Sequence, residues 1–532
     1  MPAVHLEVEK KYAADDAFEL PSLTELVRGA SAEGAGADGL IPLAEGDSVQ
    51  QRLTATYFDT DDLRLAAAGL TLRRRTGGDD AGWHLKVPAG RDARSEVRLP
   101  AGRAARTVPS SLRNLVWIHS RGAALVPVAE IVTQRTVRRL VDPTGQVLAE
   151  IADDRVTARR LLPSEGSGDA AGAPTSWREI EVELVGGHAE LLDGVDARLR
   201  AEGLRAAGAA SKLAQLLGTD GVGTEGARPR TGKAAKLTAK TSAGEVLLAH
   251  LREQVAQVRA QDLPVRLDAP DAVHKMRVAT RRLRSALTTF KPLVAADVAK
   301  PLRAELKWLA GELGAARDAE VMRDRVAAAV RSEADGVERG PAAAIAGQEL
   351  GEAYRSAHDR VLAELDGDRY HRLIATLEEL VDSPPLTERA SAPAGTVLPR
   401  LVARSFAVVR SLVEDAAARP DGDEREELLH DARKAAKASR YAAESVDRVF
   451  GQDATAFAEA MEAVQETLGE HQDSVLTRQR LHDLALHTPS TRAAFLYGRL
   501  HALEEARAAQ SQQHFDDAWK AARRKALHRW LR

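Results

Sequence analysis

The chain of 532 residues contains no cysteine, which excludes disulfides, thiolate metal sites and thiol nucleophiles. Aromatic residues are scarce at 4%, while hydrophobic residues reach 44%, so any core must be built mainly from aliphatic side chains and alanine. No apolar run approaches the roughly 18 residues of a membrane span, and the N-terminal MPAVHLEVEK lacks a signal-peptide core. These absences predict a soluble cytoplasmic protein with no membrane partner. Neither sign of charge dominates. Against 75 Lys and Arg stand 78 Asp and Glu, a net charge of −3, so a strong field must come from local arrangement. No Gly-x-x-x-x-Gly-Lys loop and no serine or histidine triad is legible, which removes nucleotide-loop and triad chemistry. At this length two or more domains are expected.

What the chain does have is a repeated basic stripe. His274, Arg277, Arg281 and Arg284 stand at offsets 0, 3, 7 and 10 in HKMRVATRRLR. His430, Arg433, Lys437 and Arg440 stand at the same offsets in HDARKAAKASR. On a helix each set falls within about 80° and forms one rail, with Met276, Leu283, Leu287 and Phe290 on the opposite, packing face of the first. Downstream, LGAARDAEV from Leu313 recurs as LGEHQDSV from Leu468, so a register of 155–156 residues holds across two elements. That predicts two copies of one helical unit. Asp318 and Asp473 recur in step and are expected to orient the basic side chains. The copies also differ. Lys307 and Arg317 correspond to Glu462 and Gln472, and Glu444, at the rail's angle, corresponds to Thr288. Two facing rails would repel, so they require a polyanion between them. Single-stranded nucleic acid is disfavoured, because Tyr441 is the sole aromatic near these faces.

The first half reads as strands. HLEVEKKY puts Glu7, Glu9 and Lys11 on one face. TATYFDT (54–60), LTLRRR (70–75), WHLKV (83–87), RSEVRL (94–99), QRTVRRL (134–140), AEIADD (149–154) and WREIEVELV (177–185) follow, with Gly and Pro between them. Each carries charge at alternate positions, and its other face is only partly apolar. A closed antiparallel barrel can turn such faces inward around a polar lumen. Glutamates crowded there need a cation, and the arginines and lysines suit phosphate oxygens. PSEGSGDAAGAPTS (163–176) reads as a hairpin insertion, and GTDGVGTEGARPRTGKAAKLTAK (218–240) as a flexible linker. Ser242 and Glu245 then form a capping-box pattern ahead of a helical remainder. The final WKAARRKALHRWLR reads as a last, basic amphipathic helix.

EVEKK, YFDT, LRRR, WHLKV, EIADD, EIEVEL and SKL (211–213), taken in order, resemble the motif succession of CYTH domains, the triphosphate tunnel metalloenzymes, over residues 3–217. The doubled stripe with its Leu-Gly-x-x-x-Asp resembles the CHAD domain, within a helical region at 242–525 that a linker at 218–241 precedes. The resemblance implies an eight-stranded antiparallel tunnel with helices, followed by an all-α, pseudo-twofold pair of four-helix bundles. It implies hydrolysis of a triphosphate with Mg2+ or Mn2+. Glu7, Glu9, Glu181 and Glu183 would bind metal. Lys11, Arg73, Arg75, Lys86, Arg135 and Lys212 would bind triphosphate. Glu7, Glu9 and Lys11 with Glu150 and Asp154 would form the catalytic set, the last two binding metal or orienting water, and Glu179 and Arg98 are secondary carry-overs. The two rails, His274, Arg277, Arg281, Arg284, His430, Arg433, Lys437 and Arg440, would bind inorganic polyphosphate, and the protein would associate with polyphosphate granules. The alternatives are a non-catalytic polyphosphate-binding protein, or a CYTH enzyme acting on thiamine triphosphate or, as a cyclase, on a nucleotide.

Overall fold

In the computed structural model the chain divides into two compact units, Met1–Lys233 and Ala234–Arg532. Residues 4–27, 43–90, 92–102, 106–162, 172–218, 236–333, 339–420 and 422–532 are described. The expected hairpin insertion and linker lie largely outside them.

The first unit is a closed antiparallel barrel. In chain order its strands are β1 (Val4–Ala14), β2 (Ala44–Glu45), β3 (Val49–Asp59), β4 (Thr71–Thr76), β5 (Gly82–Gly90), β6 (Ala93–Pro100), β7 (Val126–Val141), β8 (Val147–Arg160), β9 (Thr175–Leu184) and β10 (Arg205–Ala206). Eight of these close on one another in the order β1-β6-β5-β4-β3-β7-β8-β9, and β9 returns to β1; the two-residue β2 and β10 only edge β7 and β1. Closure falls on β1 itself. Its residues Val4 to Val8 pair with β6, and Glu9 to Ala14 pair with β9. The two-residue period of a strand then sends every second side chain into a single lumen. The unusual part is the direction of the apolar faces. Tyr12, Ile180 and Val182 point outward and pack against helices α1 (Leu23–Val27) and α5 (Ala189–Ala201) through Leu23, Leu26, Leu192, Val195 and Leu199. Three short helices, α2 (Arg64–Ala67), α3 (Ser110–Leu115) and α4 (Trp117–Ser120), intervene, and α6 (Lys212–Leu217) follows the barrel. In α6, Leu213 joins a buried cluster with Tyr57, Val128, Ile131 and Val156, which fixes the preceding residue, Lys212.

The second unit is helical. Four helices, α7 (Ala243–Arg266), α8 (Ala272–Thr289), α9 (Ala296–Arg331) and α10 (Gly340–Leu365), are echoed by α12 (Ala394–Ala417), α13 (Asp423–Glu444), α15 (Gln452–His487) and α16 (Thr491–Ala522). The lengths match closely, at 24, 18, 36 and 26 residues against 24, 22, 36 and 32. The last two helices of each half share one core, with Val326, Val330 and Leu350 from one and Leu481, Leu484 and Leu496 from the other. Ser242 caps α7 as the sequence predicts, its hydroxyl accepting from Glu245 N while Glu245 reaches back. On α8, Met276, Leu283, Leu287 and Phe290 are all buried, so the rail lies on the far face.

Two features depart from the four-plus-four pattern. α11 (Asp368–Asp382) has no counterpart in the second half, while α14 (Asp447–Phe450) is a single turn. Buried Asp262 of α7 anchors α11 by accepting from Tyr370 Oη at 2.8 Å and holding Arg266 at 2.7 Å. The terminal helix also ends earlier than the sequence suggests. α16 stops at Ala522, and a 3-10 turn, Lys525–Leu531, folds back so that His528 and Trp530 stack with Phe406, Phe450 and Phe457.

Leu283→Ala, which deletes the centre of the α8 packing face, should cost the helical unit about 3 kcal/mol. A lowered urea midpoint with unchanged slope is the readout, and an unaltered midpoint would contradict the packing described.

Candidate functional sites

The barrel lumen is a cavity of about 300 Å³. Its lining comes from alternate residues of all eight strands: Glu7, Glu9 and Lys11 from β1, Arg73 and Arg75 from β4, Lys86 from β5, Arg94, Glu96 and Arg98 from β6, Arg135 and Arg139 from β7, Glu150 from β8, and Glu181 and Glu183 from β9, with Tyr57 from β3 and Lys212 from α6. Eleven of the twelve lumen residues expected from the sequence line this cavity, and the twelfth, Asp154, is fully buried.

Cross-strand register sorts the charges into rows. One row runs Arg139, Glu150, Glu183, Glu9 across β7, β8, β9 and β1; a second runs Val137, Ala152, Glu181, Lys11. The second row is balanced. Glu181 accepts from Lys11 at 2.7 Å, Arg135 at 2.5 Å and Lys212 at 2.8 Å, and against the upward push of burial these cations hold its carboxyl well below the usual range. The first row is not. Glu150 accepts from Arg139 at 2.7 Å, but Glu9 and Glu183 stand directly opposite each other. Like charges in register destabilise a sheet. Glu9 has Lys11 at 3.1 Å, and Glu7 is held by Lys86 and by Arg98 at 3.3 Å. The Glu183 carboxylate makes no hydrogen bond or ion pair with any described residue. Burial, and then the neighbouring Glu7 and Glu9 carboxylates, push its carboxyl up to about 7.

This distribution decides which acids suit a cation. Asp154, Glu179 and Glu181 alone among the described residues bring three carboxylates within reach of one ion. Yet Lys212 Nζ lies 2.9, 2.6 and 2.8 Å from them, so an ammonium already stands at their centre. Asp154 is further engaged by both arms of Arg135, at 2.7 and 2.5 Å. The acid left without a cation is Glu183, with Glu9 opposite it and Glu7 near it already partnered by Lys11, Lys86 and Arg98. An all-oxygen set of this kind fits a hard divalent cation. Lys212, expected as a phosphate ligand, is instead saturated by carboxylates.

On the facing wall the excess is positive. Arg75 is pushed down to about 9 by burial and by Arg73 and Arg135; its carboxylate partner is Asp80 in the β4–β5 turn. Arg73 touches Tyr57 Oη at 3.4 Å and lies 4.0 Å from Glu96. Glu96 is shared with Lys86, Arg98 and His84. Arg94 and Arg139, which the expected ligand set omits, also line the lumen, as does Arg98, a secondary carry-over. Their signal was available: each is an inward position two residues from another on its strand.

In the helical unit, rail residues of both halves sit close enough to repel. Lys437 is pushed down to about 7, by burial first and then by Arg281, Arg433, Arg277 and Arg440. Arg281 and Arg284 are lowered too, by burial and, for Arg281, by Arg277. Arg281, Arg284 and Lys437 make no ion pair among the described residues. The Leu-Gly-x-x-x-Asp motif has a mechanical role here. A Cβ at Gly469 would come within 2.9 Å of the Arg433 guanidinium, whereas one at Gly314 would only touch that of Arg277 at 3.5 Å. Four residues on, Asp318 lies 3.6 Å from Arg277 and Asp473 lies 3.7 Å from Arg433. Glycine admits Arg433, and an aspartate steers each arginine. The halves differ at the histidines: His430 and Arg433 share Gln472 Oε1, whereas His274 is held below its ordinary value by burial and by Arg317.

A family model described as CHAD domain matches residues 249–482, and one described as CYTH domain matches 44–214. The chain belongs to the CYTH and CHAD families. Two proteins of Mycobacterium tuberculosis, Uncharacterized protein MT2285 and Uncharacterized protein Rv2226, are each 35% identical over 520 residues, covering 94% of this chain and 93% of their own. PptA from Streptomyces chartreusis aligns over 53% of this chain and all of its own at 22% identity (TM-score 0.44). The CHAD domain from the plant Ricinus communis aligns over 57% of this chain and 98% of its own at 26% identity (TM-score 0.41).

Lys437 should titrate near 7, followed by NMR of its side chain, and Arg281→Gln should raise that value. Because the unfolded lysine keeps its proton up to about 10.5, this group's contribution to stability rises as pH climbs from about 7 towards 10.5. An ordinary titration in the wild type would contradict the crowding.

Proposed function

We propose that the CYTH barrel hydrolyses inorganic triphosphate, or a related short phosphate anhydride, with Mg2+ or Mn2+, and that the CHAD unit binds inorganic polyphosphate. The observation that supports the first is a single lumen that holds an unpaired acid, Glu183, beside Glu7 and Glu9, together with a basic wall in excess of its carboxylates. A bound divalent ion would draw charge from the phosphate oxygens and polarise the attacking water. The chain's residues do the rest. Lys86 and Arg98 hold Glu7 in place, Lys11 fixes Glu9, and the Asp154–Arg135–Glu181–Lys212 cluster braces the floor. Arg73 and Arg75 are placed to neutralise the charge of a leaving pyrophosphate, Arg75 exchanging Asp80 for a phosphate oxygen. A closed, partly desolvated lumen strengthens each of these contacts.

For the helical unit the supporting observation is the unpaired trio Arg281, Arg284 and Lys437, framed by His274, Arg277, His430 and Arg433. A linear polyanion relieves that repulsion, and Lys437 should take up a proton as it binds above pH 7. Binding should also weaken steeply with salt through counterion release.

Glu7→Gln combined with Glu9→Gln should lower phosphate release by about 100-fold or more while leaving polyphosphate retention unchanged. Equal turnover in that variant and the wild type would refute the assignment. A panel of tripolyphosphate, thiamine triphosphate and nucleoside triphosphates, run with Mg2+, Mn2+ and Ca2+ in turn, identifies the substrate. Arg281→Glu with Lys437→Glu should weaken polyphosphate binding on the order of 30-fold or more and spare tripolyphosphate hydrolysis. Retention on a filter at wild-type affinity would remove the rails from consideration.

A further inference from the structure

The two rails end differently. In the first, Arg284 makes no ion pair among the described residues; Thr288, one turn on, spends its hydroxyl on the Arg284 carbonyl, and Lys307 is exposed on α9. In the second, Arg440 donates from Nε to Glu444 Oε1 at 2.6 Å, and its Nη1 lies 2.6 Å from Glu462 Oε1. Glu444 belongs to the same helix, whereas Glu462 comes from α15. The register of 155–156 residues sets Glu444 against Thr288 and Glu462 against Lys307. At matched places, the first half therefore has a hydroxyl and a cation where the second half has two carboxylates.

The carboxylates are not loose surface partners. Arg440 and Glu444 are about a fifth exposed, at 20% and 22% of their side chains, and Glu462 at 36%. Glu444 is fixed from its other oxygen as well, which accepts from Arg282 Nη2 of α8 at 2.7 Å. The ring of Tyr441 lies beneath both guanidiniums, 5.5 Å from Arg282 and 5.9 Å from Arg440. Charge-assisted pairs held this way come preassembled, whereas a phosphate group must displace them and then meet two negative oxygens. Arg440 is spoken for.

We infer that Glu444 and Glu462 close the Arg440 end of the rails to phosphate, so that a polyphosphate chain is gripped asymmetrically, by Arg433, Lys437, Arg281, Arg277 and Arg284, and stops short of Arg440. This rests on the polyphosphate reading of the helical unit and revises the role that family resemblance gives to Arg440. A stop at one end sets which part of a long anion is read and makes the two halves unequal despite their common fold. The same carboxylates discriminate against any ligand that demands full twofold symmetry of charge.

The test uses the full-length chain and inorganic polyphosphate in a filter-retention titration at several salt concentrations. Glu444→Gln with Glu462→Gln should tighten binding by about tenfold and steepen the salt dependence by about 0.7 in the log–log slope, as one further phosphate contact would. Adding Arg440→Gln to that pair should remove the gain. Glu462→Gln alone leaves the Glu444–Arg282 tie in place and should give part of the gain, which covers a folding defect in the double variant. No tightening in either glutamine variant, or tightening that survives Arg440→Gln, would overturn the stop. Failure of the wild-type chain to retain polyphosphate would overturn the binding reading itself, a result told apart by the wild-type titration alone.

Discussion

A charge taken out of water has to be met by another charge or by hydrogen bonds, and both units are shaped by where that requirement is met inside the chain and where it is left open. In the barrel the decisive contact is Lys212 amid Asp154, Glu179 and Glu181. Without that ammonium, three buried carboxylates would share one corner of the lumen. With it, positive charge is drawn to the floor, and the next acids along β1 and β9 are left short. Closure through β1 sharpens the effect, because a single strand joins β6 on one side of Glu9 and β9 on the other, setting Glu9 against Glu183. The vacancy in charge follows from the topology together with one lysine.

The rails answer the same constraint with the opposite sign. Here the backbone contributes as much as the side chains. Gly469 lets the Arg433 guanidinium lie close against α15, and Asp318 and Asp473, at 3.6 and 3.7 Å from Arg277 and Arg433, aim these groups without fully neutralising them. An aspartate at that distance steers more than it quenches. The cations left over at the crossing of α8 and α13 repel one another, and that strain is the free energy a polyanion would release.

The legible parts of the sequence were those with a period. Alternation at two residues exposed the eight strands and their inward charges, and spacing at three and four residues exposed the rails, because each depends on one element alone. Pairing across elements had no such signature. That Lys212 would face three carboxylates depends on Leu213 docking α6 on the barrel. That Glu183 would stay unpaired depends on barrel closure. α11 was hidden because it breaks the repeat that revealed its neighbours, and its anchor, Asp262 with Tyr370, joins residues 108 apart. The end of α16 was missed because the aromatics that fold back at its tip find their partners, Phe406 and Phe457, on other helices.

The two phosphate-facing surfaces therefore differ in kind. The lumen holds both signs at close quarters, so an anion entering alone would meet Glu7, Glu9 and Glu183 as well as the arginines, and a divalent cation has to accompany it. The rails are mainly of one sign, with Asp318 and Asp473 beside Arg277 and Arg433 and with Glu444 and Glu462 at the Arg440 end. The lumen thus sets charges of both signs against one another within about 300 Å³, while the rails present a line of positive charge. Joining the two in one chain pairs an enclosed site of mixed sign with an open basic surface, and that division follows from which charges each unit leaves unanswered.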